Sequence, residues 1–117
     1  MSYIDGFLIP VPKAGKAAYL KVAADTAGVW TDHGATAVME CWGDDLPEGK
    51  LTDFFMAVKA KPDETVVFSW IVWPSRAARD AGNAKVMADP RMAAHPDPMP
   101  FDGARLIMGG FETILEA

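Results

Sequence analysis

The spacing of apolar positions shifts along the chain, and each shift predicts an element. Tyr3 to Val11 carries Ile4, Phe7, Leu8 and Ile9 and reads as a strand, closed by Pro10 and Pro12. From Lys13 to about Asp32 the period becomes helical. Tyr19, Val22, Ala23, Thr26 and Trp30 fall on one side, with Leu20 and Ala27 flanking, while Lys21, Asp25 and Asp32 fall opposite. His33 and Gly34 supply the helix stop, glycine accepting the left-handed conformation that a C-cap needs. Ala35 to Gly43 is a second strand, expected inside the sheet, with Val38, Glu40 and Trp42 sharing one side. Phe54 to Ala60 and Thr65 to Trp73 read as two further strands joined by a Lys61-Pro62-Asp63-Glu64 turn. Ser75 is placed to N-cap a second helix. There Ala77, Ala78, Ala81, Ala84 and Ala88 offer a small-residue packing face, and Arg76, Arg79, Asp80 and Lys85 are expected in solvent. Prolines at 90, 96, 98 and 100 make Asp89 to Gly103 a loop, with His95 solvated within it. Arg105 to Leu115 is the last strand. Its Gly109-Gly110 pair marks a bulge or a place where another backbone or a ligand comes close.

The predicted order is β-α-β-β-β-α-β. Setting aside one hairpin strand leaves βαββαβ, the ferredoxin-like pattern: an α+β sandwich with an added hairpin strand, formed as a single domain over residues 1–117. Both sides of the Thr65 to Trp73 strand are apolar, Val66, Phe68, Trp70 and Val72 on one and Val67, Ile71 and Trp73 on the other. The last strand is apolar on both sides as well. Two helices cover one face of a sheet, and an uncovered apolar face would exceed the few hundred Å² tolerated on soluble monomers. A homodimer with sheet facing sheet is therefore expected.

Charge narrows the partners. The 117 residues hold 11 basic and 16 acidic side chains, a formal net charge of −5, and no basic run, so neither nucleic acid nor a membrane surface is an expected partner. Apolar residues at 50% and charged residues at 23% exclude a disordered chain. Cys41 is the only cysteine, so no intrachain disulfide can form, and no signal-like N-terminus is visible; a cytoplasmic location is expected.

Candidate chemistry is sparse. Glu40, beside Cys41 and Trp42, is a carboxylate on an apolar strand; it must find a partner such as Arg105, Arg79 or a lysine, or else hold a proton as general acids do. Glu40 and His33 are the catalytic candidates, although His33 also fits a helix C-cap. Glu40, Trp42, Trp70, Trp73 and Arg105 are the candidate ligand contacts, the tryptophans suiting a small aromatic or flat organic molecule. The two histidines, 33 and 95, lack metal-ligand spacing, so no metal and no cofactor are expected.

Several stretches together resemble a bacterial family of small uncharacterised proteins, the YbaA-like family. They are Tyr3-Ile4-Asp5-Gly6-Phe7 with Pro10-Val11-Pro12, Glu40-Cys41-Trp42-Gly43-Asp44-Asp45, Val58-Lys59-Ala60-Lys61, Glu64-Thr65-Val66-Val67-Phe68-Ser69-Trp70, Met87-Ala88-Asp89-Pro90-Arg91-Met92, and Pro100-Phe101-Asp102-Gly103 followed by Gly109-Gly110-Phe111. The resemblance implies a dimeric α/β barrel built from ferredoxin-like subunits, and no established activity. The functional expectation is a homodimeric small-molecule-binding protein with its pocket between sheet and helices. Two alternatives stand beside it: a cofactor-independent enzyme resembling dimeric α/β-barrel monooxygenases or isomerases, and an interaction protein without a pocket.

Overall fold

A computed structural model describes residues 1–93, 96 and 98–117; the expectation for His95 lies outside them. Strand β1 (Tyr3–Pro12) passes through a 3-10 turn into helix α1 (Lys16–Asp32). Then come β2 (Ala37–Trp42), the single turn α2 (Phe54–Ala57), β3 (Glu64–Trp73), α3 (Arg76–Ala88), the single turn α4 (Pro90–Ala93) and β4 (Ile107–Glu112). The strands form one antiparallel sheet in the order β2-β3-β1-β4. The fold is therefore α+β, as expected. Pro10 and Pro12 lie past Leu8, the last β1 residue paired with β4, so they occupy an end of β1 flanked by β3 alone.

The added hairpin strand is absent. Phe54–Ala57 form a helical turn because the Asp53 carboxylate accepts the Met56 N–H at 2.7 Å and caps it, a local bond that outweighs the β-propensity of Phe54 and Phe55. Lys59 then adopts a left-handed φ of 50°, and the Glu64 N–H closes a turn onto the Lys61 carbonyl, leading directly into β3. The last strand is also shorter than expected. It stops at Glu112 because its neighbour β1 begins at Tyr3, the residue opposite. Its register is unbroken through Gly109 and Gly110, so these glycines form no bulge. A Cβ on Gly110 would come within 2.5 Å of both the Arg79 guanidinium and the Tyr3 hydroxyl, so two side chains approach there in place of the backbone or ligand expected.

Helix boundaries follow their caps. Gly34, at φ 109°, ends α1 behind the cap residue His33, and the Ser75 hydroxyl accepts the Ala78 N–H to start α3. Both long helices lie on one face of the sheet. Ile9, Val11, Tyr19 and Val67 form one buried cluster there, with Phe101 and Leu106 packed against it; Ala35, Ile71 and Trp73 form another with Trp30 and Val38. The packing face of α3 differs from the alanine face expected. Ala77, Ala81, Ala84 and Ala88 are exposed, and the row Ala78, Gly82, Val86, spaced four apart, turns inward. Gly82 makes room for Trp73: an added Cβ would lie 2.2 Å from the indole ring. That rotation carries Arg79, expected in solvent, over buried Asp5. Its Nε is 3.6 Å from Asp5 Oδ1, and its Nη2 donates to the Tyr3 hydroxyl at 3.0 Å. Asp5 in turn accepts the Trp73 Nε1–H at 3.0 Å through Oδ2, while the Arg79 Nε, buried with no hydrogen-bond partner among the described residues, faces Oδ1 as an ion pair only.

Candidate functional site

On the helix-covered face, the first turn of α1 passes over β2. The register of β2 points Val38, Glu40 and Trp42 to this side, as the alternation predicted. Tyr19 is buried, and its hydroxyl donates to Glu40 Oε1 at 2.6 Å. The ring of Phe101 meets that of Tyr19 edge-on, with centroids 5.8 Å apart. The Lys16 ammonium stands 5.8 Å from the centre of the Trp42 ring. Lys16, Tyr19, Leu20, Glu40, Trp42 and Val67 enclose a hollow of about 130 Å³.

The polar groups of this hollow are perturbed by its apolar walls. Glu40 is exposed as a residue, but desolvation of its carboxyl raises the pKa above the ordinary glutamate range, against the opposing pull of the Tyr19 hydrogen bond. Burial, reinforced by the neighbouring carboxylate, pushes the Tyr19 hydroxyl far up, so it remains a donor. Glu40 Oε2 has no partner among the described residues and is left to accept a hydrogen bond from a molecule in the hollow. A carboxyl of raised pKa can also deliver a proton there. Glu40 departs from expectation in two ways. It lies on an edge strand, since β2 ends the sheet, and its partner is a phenol from α1 in place of Arg105, Arg79 or a lysine. Tyr19 was legible only as an apolar helix position. The available signal was that a buried tyrosine hydroxyl requires an acceptor.

The other candidates are dispersed. Trp73 is completely buried in the core, 0% exposed. Trp70 lies on the opposite face of the same sheet, its ring 5.3 Å from that of Phe68. Arg105 clamps buried Glu64 at 2.6 and 2.8 Å and also bonds Asp102, and the guanidinium holds the Glu64 carboxyl below its usual range. His33 Nε2 lies 2.9 Å from Asp89 Oδ2, a carboxylate that Arg91 also holds. The catalytic pair Glu40 and His33 thus divides between different partners, and only Glu40 and Trp42 share a cavity. Among the described residues, no three His, Cys, Asp or Glu side chains gather as a metal site, and no helix is long and apolar enough to cross a membrane.

Another concave feature lies on the face that the two long helices leave uncovered, with Phe54 of α2 at its margin. Ile4, Leu8, Phe68, Trp70, Ile107 and Phe111 line an apolar groove of about 670 Å³. Phe68 is 49% and Phe111 60% exposed. Phe111 leans over two cross-strand glycines, and a Cβ on Gly6 would stand 3.3 Å from its ring.

Comparison with known proteins gives a family and a fold. The model of a family described as proteins of unknown function, DUF1428, matches residues 2–103. The chain is 53% identical over 116 residues to the uncharacterized protein YbaA of Escherichia coli strain K12, covering 99% of each chain, and the YbaA of Shigella flexneri matches equally. Its structure is similar to that of an uncharacterized NIPSNAP domain protein from Burkholderia xenovorans, with a TM-score of 0.62 at 18% identity, over 95% of this chain and 93% of that one. It is also similar to Rv0793 from Mycobacterium tuberculosis, with a TM-score of 0.52 at 13% identity, over 100% and 99% of the two chains. At such identities the likeness is one of fold.

Proposed function

We propose, from the premise that this chain belongs to the DUF1428 family of proteins of unknown function, that it is a cytoplasmic homodimer that binds a small aromatic or flat organic molecule between helix α1 and strand β2. Each chain is read as one ferredoxin-like domain, and two chains close sheet on sheet into an α/β barrel. Support for the assembly comes from the apolar face of the sheet. Ile4, Leu8, Phe68, Trp70, Ile107 and Phe111 form a contiguous apolar surface that no long helix covers, the kind of surface a second copy would remove from water.

The observation that carries the binding reading is the Tyr19–Glu40 pair, a 2.6 Å hydrogen bond at the wall of a hollow whose remaining lining is largely apolar. One carboxylate oxygen is fixed by the phenol, which orients the other toward a ligand donor, while Trp42, Leu20 and Val67 favour a flat apolar body. Thermal melting with phenol, catechol, indole and benzoate at millimolar concentration tests the reading. At least one should raise the melting temperature of the native protein and lose that effect in Glu40→Gln. If none of the four does so, or if Glu40→Gln responds equally, the hollow is not the binding site.

The enzymatic alternative has the same pair behind it, since Tyr19 and Glu40 share a proton donor and acceptor at one cavity. His33, the other proton-transfer candidate, is tied to Asp89. An interaction protein without a pocket is disfavoured by the hollow itself.

A further inference from the structure

A group of lysines gathers where the β1–β3 ladder ends. The last rung pairs Pro12 with Glu64, so antiparallel pairing brings Lys13, which follows β1, to the turn that carries Lys61 into β3. The Lys13 N–H donates to the Asp63 carbonyl at 2.8 Å, and the Lys61 N–H to Glu64 Oε1 at 2.6 Å. The Lys59 carbonyl accepts from Arg105 Nη1 at 2.9 Å. Three lysine backbones are thereby pinned at one place. Lys13, Lys59 and Lys61 line a cleft of about 780 Å³, a volume within the range of small-molecule sites.

The backbone of Lys59 adds an independent mark. Turn α2 ends in a Schellman motif: the Ala60 N–H donates to the Phe55 carbonyl and the Lys59 N–H to that of Met56. The motif needs a left-handed residue at Lys59, a conformation that glycine adopts freely and other residues adopt under strain. Lys59 holds it at φ 50°, the one non-glycine residue of positive φ among the described residues. Folding alone favours glycine here, so the turn does not account for a lysine.

The carboxylates of the cleft are mostly engaged, and its ammoniums are not. Both Glu64 oxygens accept from Arg105, and the two Asp53 oxygens accept the Gly49 and Met56 N–H groups. Arg105 holds the Glu64 and Asp102 carboxyls low, and Lys61 adds a lesser electrostatic pull on both. Among the described residues, no ion pair is made by Lys13, Lys59 or Lys61. Phe55, Met56 and Pro62 supply apolar wall beside them.

We propose that this cleft is a ligand site separate from the Tyr19–Glu40 hollow, and that it binds a phosphate monoester of a small organic molecule. Lys13, Lys59 and Lys61 take the phosphate, and Phe55, Met56 and Pro62 take the organic body. Ammoniums are point charges that can surround the three oxygens of a phosphate from several directions, whereas a carboxylate offers two oxygens in one plane. The cleft and the hollow share no lining residue, so each can be disabled without the other.

Calorimetric titration with phenyl phosphate at fixed ionic strength tests this on the native chain, Lys59→Gly, Lys13→Gln and Glu40→Gln, with melting temperatures measured in the absence of ligand. Glycine suits the left-handed backbone, so Lys59→Gly should melt no lower than the native protein while its affinity falls on the order of tenfold. Lys13→Gln keeps the N–H bond to Asp63 and should lose affinity likewise; it carries the test if Lys59→Gly melts lower. Glu40→Gln should bind phenyl phosphate as the native chain does. No binding at millimolar concentration, or undiminished affinity in both lysine variants, would overturn the site. Affinity lost in Glu40→Gln and kept in both lysine variants would also overturn it, and would assign the ester to the hollow.

Discussion

The two faces of β3 are made from the same kinds of residue and meet opposite environments. Val67, Ile71 and Trp73 are 1%, 4% and 0% exposed beneath the helices, while Phe68, one position from Val67, is 49% exposed on the other side. The helix face is closed by long-range fit, as where Gly82 yields to the Trp73 ring and Tyr19 reaches Glu40. The bare face is smooth, built from large side chains around the Gly6 and Gly109 pair. Hydrophobicity alone does not separate a core from an exposed face. What separates them here is whether the chain itself provides a cover, and two helices provide one cover only.

Substitutions on the two faces should therefore fail differently. The largest effect is expected from Trp73→Ala, which leaves a cavity under α3 and removes the one hydrogen bond that the described residues give the buried Asp5 carboxylate. It should lower unfolding free energy by about 3–5 kcal/mol or more, equally at every protein concentration in urea titrations. Phe68→Asp on the bare face should leave the folded chain intact and weaken self-association on the order of 30-fold or more, the equivalent of about 2 kcal/mol, as measured by sedimentation across a dilution series. An unfolded Phe68→Asp protein would place that face in the core and erase the contrast. Ser75→Ala, which removes the α3 cap, should cost about 1 kcal/mol without changing association.

Glu40→Gln should have the smallest effect, visible as a change of pH dependence. Folding raises the Glu40 pKa above its ordinary 4.5, so the folded chain binds this proton more tightly than the unfolded chain. Its contribution favours the fold at low pH and is lost as pH rises from about that value through the folded one. Relative to Glu40→Gln, the native protein should lose stability across that window and run parallel above it. An unchanged difference from pH 4 to pH 8 would show that the hollow does not desolvate the carboxyl.

Much of this architecture was legible in the residues. Capping chemistry at Ser75 and Gly34, the helical period from Tyr19 to Trp30 and the two-sided apolar pattern of β3 are local signals, and they stand in the structure. The family resemblance, carried by stretches spread across the chain, stands too. The misread positions depended on competition or on distant partners. Phe54 to Ala60 has strand-like composition, but the Asp53 side chain three residues before Met56 captures its backbone first. Arg79 has the character of a surface residue until the packing of Gly82 on Trp73 turns it onto Asp5. Glu40 was recognised as a carboxyl in need of a partner. Naming Tyr19 required knowing that β2 ends the sheet beneath the first turn of α1, which no local pattern states.

The Phe111 ring rests across Gly6 and Gly109 as a shingle rests across two battens. A single methyl at residue 6 would stand 3.3 Å from that ring and press on it from below, reshaping the exposed apolar face without touching the buried side chains on the helix side. One small substitution can therefore retune the shape of this exposed face while the helix-covered core is left alone.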